Sequence, residues 1–461
     1  MSQKPNYEID MCHGPILGKM LKFALPLMCS SILQLLFNAA DIVVVGRYAG
    51  DNSLAAVGSN TSLINLLTNF FMGLSIGANV LVARYYGAKQ NRDLKETVHT
   101  AMTLSLFSGI FLTMIGCAGA RQILIWMQTP EDVRNLAVVY LRIYFLGMTA
   151  TMIYNFGSAI LRAVGDTRRP LYYLFSAGVV NVILNLIFVI LFHMDVAGVG
   201  LATVISQCIS AVLIIRCMRR EEGGIHLELR KLKVNRNKFC KIVQIGLPAS
   251  FQGILFSLSN VIIQSSVNSF GSITVAGNSA AANIEGFVYV SMNAFHQSAI
   301  SFTSQNMGAG KTERINRILY TAECCVIVVG LVLGNAAVLC GTPLLGIYTK
   351  SSAVAAAGMK RLQVICRTYA LCGMMDTIVG SLRGLGHSVV PMLVSLVGAC
   401  GLRLIWIFTF FRMETFHSVT SLYLTYPASW ILTFAAHLIC FAIIRKRMGS
   451  RASLSAPGQQ H

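Results

Sequence analysis

The stretch LRAVGDTRRP, residues 161–170, returns as LRGLGHSVVP at residues 382–391, with the Leu-Arg pair, a glycine and the final proline at matching positions. A second landmark repeats in the same order, because FALP (23–26) matches IGLP (245–248) at nearly the same shift of about 221 residues. Several matches at one near-constant offset indicate internal duplication. The glycine and proline of the repeated stretch predict a tight turn, with proline opening the next helix.

Each predicted half is built from membrane-spanning helices. Of the 461 residues, 55% are apolar and only 12% are charged, and the mean hydropathy of +0.63 lies outside the range of soluble domains. About twelve apolar runs reach the roughly 20 residues that a spanning helix needs. Unbroken runs such as 179–192 and 326–339 favour helices over the alternating strands of a membrane barrel. The sequence predicts an all-α membrane protein with twelve transmembrane helices in two parallel six-helix repeats.

The duplication and the polar stretches also predict the domain organisation. We expect an N-terminal six-helix lobe at residues 1–218, an inter-lobe linker at 219–240, a C-terminal six-helix lobe at 241–448 and a disordered tail at 449–461. The start of the chain lacks the pattern of a cleavable signal sequence, so we expect the first span to be retained.

The basic residues predict an orientation in the membrane. The formal net charge is +19, and Lys and Arg cluster in alternate loops, which places both termini in the cytoplasm by the positive-inside rule. This distribution explains the charge without a nucleic-acid partner. We expect a multi-pass protein of the bacterial inner (plasma) membrane, in contact with the lipid bilayer.

Sequence motifs for cofactors and catalysis are weak. The 13 cysteines contain no C-x-x-C pair and no histidine at metal spacing, so we interpret them as small buried apolar residues and expect no cofactor. GAGKT at 308–312 lacks the first glycine of a nucleotide-binding loop. No H-E-x-x-H motif accompanies the histidines, so an enzyme is the weaker alternative and we expect none.

Asp41 places a carboxylate in an otherwise apolar segment, NAADIVVVG at 38–46. An acid inside the membrane is costly, and it is a candidate for function by default. Gln34, Asn38 and Asp41 recur at helical intervals and predict a polar stripe that faces a substrate cavity. The alternative is that Asp41 marks the outer end of the helix and is solvated there.

Polar residues of the fifth and sixth spans are candidates for the same site. Asn181 and Asn185 are four residues apart and share one helix face, and Thr203 lies in the next span. One interpretation is that they surround Asp41 and help it to exchange a proton or a cation. The other is that they form ordinary hydrogen bonds between helices.

The second half contains two further intramembrane acids, Glu285 and Asp376. We predict that both line the substrate cavity. The alternative that remains open is local pairing with an arginine of the same half, for example Arg367 or Arg403.

The motifs taken together resemble those of the multidrug and toxic compound extrusion (MATE) family over nearly the whole chain. They are GPILGKMLKFALPLM, LQLLFNAADIVVVGRYAG, LRAVGDTRRP, GVGLATVISQ, GLPASFQGILFSLSN, SQNMGAGKTERINR, LRGLGHSVVP and RLIWIF. The resemblance implies two six-helix lobes in a V around a central cavity. It also implies export of small organic compounds, often cationic and amphiphilic, in exchange for H⁺ or Na⁺.

The resemblance also implies roles for individual residues. Asp41 matches the first-helix acid that members use for cation coupling, and Asn181 and Thr203 match neighbouring polar positions. Some members have a second acid where this chain has Asn185, and another branch has a glutamate where this chain reads LFS at 255–257. We therefore predict Asp41 as the coupling acid and a candidate Na⁺ ligand, and leave the ion open between H⁺ and Na⁺.

One alternative within transport is a flippase for lipid-linked precursors, which belongs to the wider superfamily. Such a protein should have a more cationic central cavity to hold a pyrophosphate, and the spans here offer few arginines. We favour the drug antiporter, acting as a monomer on small-molecule substrates.

Overall fold

Helices joined by turns and by one longer linker form the described part of the chain. The computed structural model describes residues 7–454, and no strand occurs within that range. The helices are α1 (Ile16–Tyr48), α2 (Asp51–Gly87), α3 (Asn91–Trp126), α4 (Glu131–Leu146), α5 (Met148–Ala163), α6 (Arg168–Leu186), α7 (Asp195–Arg220), α8 (Arg236–Asn268), α9 (Ser272–Gly308), α10 (Arg314–Leu339), α11 (Gly341–Tyr348), α12 (Ser352–Gly384), α13 (Val389–Ser395), α14 (Leu402–Phe408) and α15 (Val419–Leu454). The predicted all-α class is confirmed.

Most of these helices have the length and composition of membrane spans. Within residues 7–454, nine helical segments pass that test, and ten pass if α4 and α5, which meet at an angle of 45°, count as one span. The other two predicted spans correspond to α9 and α12, which are 37 and 33 residues long. These two helices are less apolar because they contain the buried polar side chains of the second half, among them Glu285 and Arg361.

The backbone repeats at the offset that the sequence indicates. Three pairs of residues with positive φ are separated by 221 positions: Gly50 and Gly271, Lys89 and Gly310, Gly165 and Gly386. Gly165 has φ 98°, and a Cβ there would lie 2.5 Å from the backbone nitrogen of Ile9. Glycine is therefore required at this turn, as the sequence predicts.

The same turn fixes the start of α6. The Asp166 side chain is fully buried, and its Oδ1 accepts hydrogen bonds of 3.1 Å from the backbone N–H groups of Arg168 and Arg169. These N–H groups have no partner within the helix, so the carboxylate acts as a cap. Arg169 also pairs with Asp166 and with Glu221 at the end of α7. The turn thereby ties α6 to α7.

The chain divides into two units. The first contains the described residues up to Ile254 together with Ser301–Ile315, and the second contains Leu255–Ile300 and the residues from Asn316 onward. Helices α8 and α9 therefore contribute to both units. This division differs from the predicted lobe boundaries.

In the first unit, glycines allow α2 to approach α8 and α9 closely. A Cβ at Gly77 would lie 2.2 Å from the carbonyl oxygen of Ile242, and one at Gly87 would lie 2.1 Å from that of Gln305. The N-terminal segment joins this packing, because Asn306 Nδ2 donates to the carbonyl of Met11 at 3.0 Å. These contacts explain why parts of α8 and α9 belong with the first half.

The linker is shorter and better packed than predicted. Helix α7 continues to Arg220 and α8 begins at Arg236, so the segment between them is 221–235 rather than 219–240. Ile225 and Leu227 are buried in the apolar cluster of the first unit. Burial of these side chains anchors a segment that composition alone marks as a polar connector.

The C-terminal tail also requires a correction. Helix α15 extends to Leu454, so residues 449–454 are helical rather than disordered, because the span continues beyond its apolar part. The remainder of the predicted tail, 455–461, lies outside the described residues.

Replacing Gly77 by alanine tests the packing of α2 on α8. The added methyl group would meet the backbone of α8, so we expect Gly77→Ala to lower the free energy of unfolding by about 1–3 kcal/mol. Gly58 lies on the same helix, and a Cβ there would have no neighbour within 4 Å. Thermal unfolding of the purified proteins should show a lower Tm for Gly77→Ala only. Equal Tm values for the two variants would contradict the packing.

A second prediction concerns the ion pairs of the linker. Hydrogen bonds from Lys231 and Lys95 lower the pKa of Glu228 from its ordinary value of 4.5 to about 2. Because the folded pKa lies below the unfolded one, this stabilisation is complete above about pH 4.5 and is lost as the pH falls through 2. A carboxyl NMR titration should give a midpoint near 2 that rises in a Lys95→Gln, Lys231→Gln double variant. The matched control is Lys233→Gln, and a midpoint that is the same in all three proteins would exclude the proposed pairing.

Candidate functional site

The predicted polar stripe lies on one face of α1. Leu27, Gln34, Asn38, Asp41 and Val45 follow one another at intervals of helical turns, so they share this face. Leu27 and Val45 are buried, whereas Gln34 and Asn38 between them are exposed and Asp41 is half-buried. The face is therefore packed at both ends and open in the middle.

The other face of α1 has the character of a lipid-facing surface. Leu25, Leu36 and Val43 are large apolar side chains with 55%, 48% and 59% of their surface exposed. They lie opposite the stripe by helical spacing. Helix α1 continues to Tyr48, so Asp41 lies about two turns inside the helix, away from the lipid-facing side.

The four predicted coupling residues form one chain of hydrogen bonds. Asn185 Nδ2 donates to the Asp41 carboxylate and also to Asn181 Oδ1 at 3.3 Å. Asn181 Nδ2 donates to Thr203 Oγ1 at 3.4 Å, and Thr203 Oγ1 donates to the carbonyl of Val199 at 2.9 Å. Helices α1, α6 and α7 thus bring together residues that are up to 162 positions apart in the sequence.

Close packing of α1 on α6 allows Asn185 to contact Asp41. A Cβ at Gly178 would lie 1.8 Å from the ring of Phe37, so α6 needs glycine at the level of that aromatic side chain. Asn185 lies seven residues further along α6, two helical turns on the same face. It reaches Asp41, which lies one turn beyond Phe37 on α1.

An apolar cluster closes the polar chain at one end. Val45, Val189 and Val199 each lie one helical turn from a member of the polar chain, on α1, after α6 and on α7 respectively. All three belong to the same buried cluster. Water can therefore reach Asp41 more readily from the side of Gln34 and Asn38, the two exposed members of the stripe.

Two tyrosines that the sequence analysis did not single out lie near the acid. Tyr140 and Tyr144, on α4, are within electrostatic range of the Asp41 carboxylate, and their ring centroids are 6.0 Å apart. Their four-residue spacing on a membrane helix was the available signal. They add two hydroxyl groups to the surroundings of Asp41.

Asp41 has no compensating positive charge among the described residues. The side chain that bonds its carboxylate is the neutral Asn185, and no Lys, Arg or His in the described range forms an ion pair with it. No group of three or more His, Cys, Asp or Glu residues forms a metal site in that range either. The site consists of one acid surrounded by neutral polar groups.

Glu285 forms an ion pair within the second unit. Arg361 binds its carboxylate through Nε and Nη2, at 2.8 and 2.7 Å, and donates from Nη1 to Asn278 Oδ1 at 2.7 Å. The local-pairing alternative therefore describes Glu285, although the partner is Arg361 rather than Arg367 or Arg403. The ion pair accounts for the charge of Glu285, and a cavity role for this residue remains a prediction.

Asp376 also has partners within the second unit. Its side chain accepts a hydrogen bond from Tyr289 and lies near Arg383, and its backbone carbonyl accepts from His296 Nδ1 at 2.6 Å. Arg403 donates to Ser429 instead, at 2.9 Å. A cavity role for Asp376 remains a prediction.

Comparison with known proteins identifies related sequences over most of the chain. The sequence model of the MatE family matches residues 26–187 and 248–409. The two matches are offset by 222 residues, in agreement with the duplication.

Individual relatives and solved structures agree with this match. A probable multidrug resistance protein of Bacillus subtilis, YoeA, is 26% identical over 87% of this chain and 88% of its own length. NorM of Thermotoga maritima, another probable multidrug resistance protein, is 23% identical over 84% of both chains. A crystal structure of MATE in the bent conformation covers 96% of this chain and 98% of its own, with 20% identity and a TM-score of 0.84. An outward-facing multidrug resistance MATE family transporter of the MOP superfamily has a TM-score of 0.86 and 21% identity, and covers 97% of this chain and 99% of its own.

A double-mutant cycle tests the contact between Asp41 and Asn185. Asn185→Leu leaves the acid without its donor, so we expect it to lower the free energy of unfolding by about 1–3 kcal/mol. Combining it with Asp41→Leu, which removes the acceptor, should reveal a coupling of about 0.5–3 kcal/mol in chemical unfolding of the purified protein. Asp132→Asn changes an exposed acid of α4 and should add to Asn185→Leu without coupling. Additive effects in both pairs would show that the contact does not form.

Proposed function

This chain belongs to the MatE family, and from that premise we propose that it is a secondary active antiporter that exports small organic compounds in exchange for H⁺ or Na⁺. It is a multi-pass membrane transporter and not an enzyme. The proposed substrates are often cationic and amphiphilic, in keeping with relatives that are named for multidrug resistance. We place it in the bacterial inner membrane as a monomer, with both termini in the cytoplasm.

The observation that supports this proposal most is the uncompensated carboxylate of Asp41. An ionised acid in a membrane helix is unfavourable unless it is paired. Here its bonding partner is a neutral amide, so the site gains stability from any cation that reaches it. A proton, a sodium ion and a cationic substrate all meet that requirement, and competition between them couples export to the ion gradient.

The arrangement of donors favours a proton over sodium. Asn185 presents its N–H group to Asp41, whereas sodium needs several oxygen ligands directed at one point. Asn181 Oδ1 already accepts from Asn185, and Thr203 donates to a carbonyl. Protonation of Asp41 requires none of these groups to turn.

The exchange can be described as a cycle. Ionised Asp41 attracts a cationic substrate that contacts Gln34 and Asn38 on the exposed face of α1. A proton that moves inward down its own gradient then neutralises Asp41 and removes the attraction for the substrate. Pro26 lies inside α1, where it weakens the helix and permits bending. The ion drives the cycle only through its different affinity for the two conformations.

Asp41→Asn tests the role of the acid. The amide keeps the size of the side chain and a hydrogen-bond acceptor for Asn185, but it cannot bind a proton. We expect the variant to be inserted in the membrane normally and to lose gradient-driven efflux almost completely.

The measurement is efflux from proteoliposomes with a pH gradient and a sodium gradient imposed separately. The wild type should respond to the pH gradient, and so should the matched control Asp132→Asn, which alters an exposed acid. Efflux by Asp41→Asn at the wild-type rate would refute the proposed role. A response to sodium alone would assign the coupling to Na⁺.

The flippase alternative receives less support. The relatives compared above are named for multidrug resistance, and Asp41 and its neighbours form a site without positive charge in the described range. A pyrophosphate-bearing lipid requires the opposite electrostatic character.

A further inference from the structure

Glu323 is a buried acid that neither the sequence analysis nor the proposed cycle uses. It lies in α10, in the stretch LYTAECCVIVV at 319–329, with 9% of its surface exposed. Both of its carboxylate oxygens are buried and have no hydrogen-bond partner. This contrasts with Glu285, whose two oxygens are both bonded by Arg361.

Glu323 lies on the face of α10 that packs against α12. Gly330 and Gly334 are seven and eleven residues further along, on the same face. A Cβ at Gly334 would lie 2.2 Å from the carbonyl oxygen of Cys366, and one at Gly330 would lie 2.8 Å from Cα of Ala370. The helices are therefore in close contact along this face.

The register of the two helices places Glu323 at the level of Thr377. A Cβ added at Gly373 of α12 would lie 2.6 Å from the side chain of Val326 on α10. The two helices run in opposite directions. Extending this register by one turn brings residue 323 to the level of residue 377. Thr377 is fully buried, and its Oγ1 also has no hydrogen-bond partner.

The charged and titratable groups on the neighbouring turns are engaged with one another. They are His296 on α9 and Asp376 and Arg383 on α12. His296 bonds to the carbonyl of Asp376 and accepts from Arg383 at 3.4 Å, and Arg383 lies near the Asp376 carboxylate. Glu323 forms no hydrogen bond or ion pair with any of these three.

We propose that Glu323 is a second proton-binding position, at which the carboxyl group is neutral in the conformation described here. An ionised carboxylate without a partner is strongly unfavourable in this environment. Separation of α10 from α12 admits water, and the O–H bond then breaks and releases the proton to that water. This inference rests on the proposed antiport, to which it adds a second proton in each cycle.

Infrared difference spectroscopy of the purified full-length protein tests the protonation directly. The wild type should show the C=O band of a buried neutral carboxyl group, and Glu323→Gln should lack it. Glu131→Gln is the matched control, because the Glu131 side chain is 89% exposed, and it should retain the band. Thr377→Val should shift the band, since it removes the buried hydroxyl group at the level of residue 323 while keeping the shape of the side chain. Identical spectra for the wild type and Glu323→Gln would overturn the proposal.

Proton counting in proteoliposomes tests the role in transport. We expect the number of protons exchanged per substrate to fall roughly twofold in Glu323→Gln, from two acids to one, whereas Asp41→Asn should lose coupled efflux. An unchanged proton count in Glu323→Gln would overturn the transport role of Glu323. The spectroscopic result does not depend on transport, so failure of the antiport proposal would appear separately, as a wild type without proton-coupled efflux.

Discussion

A carboxylate held inside a membrane helix bundle by a neutral amide is the constraint on which this structure depends. Asp41 cannot remain ionised there without cost, and Asn185 offers it one hydrogen bond but no charge. The apolar cluster beyond it restricts hydration on one side. The site is therefore sensitive to the arrival of a cation, which is the property that an ion-coupled transporter needs.

The two halves of the chain share several turn positions but differ in the partners of their intramembrane acids. Three pairs of residues with positive φ are separated by 221 positions, so these turns have been retained since the duplication. In the second unit, Glu285 is neutralised by Arg361, whereas Glu323 has no partner at all. Among the intramembrane acids of the described part of the protein, Glu285 pairs with Arg361 and Asp376 lies near Arg383, whereas Asp41 and Glu323 have no positively charged partner.

The sequence predicts the fold better than it predicts the contacts. Apolar run length and the internal repeat were sufficient for the helical architecture, because membrane spans are determined by local composition. Helical spacing was sufficient to group Asp41 with Gln34 and Asn38. It also grouped Asn181 with Asn185, although the hydrogen bond between α1 and α6 depends on how the helices pack.

The failures of the sequence analysis share a physical cause. The pairing of Glu285 with Arg361 joins residues 76 positions apart, and no local pattern distinguishes Arg361 from Arg367. The burial of Ile225 in the linker likewise depends on α3 and its neighbours. Glu323 was overlooked because a single acid beside two cysteines does not form a polar stripe, and its isolation becomes evident only when its surroundings are known.

Proton release on ligand binding tests the central claim most directly. A lipophilic cation is added to the purified protein in weakly buffered detergent solution, and the pH change is measured across a range of starting pH values. The account predicts that the wild type releases protons as the cation binds, and that the Asp41-dependent part of this release is absent from Asp41→Asn. Equal proton release by the wild type and Asp41→Asn, at equal occupancy of the cation, would contradict it.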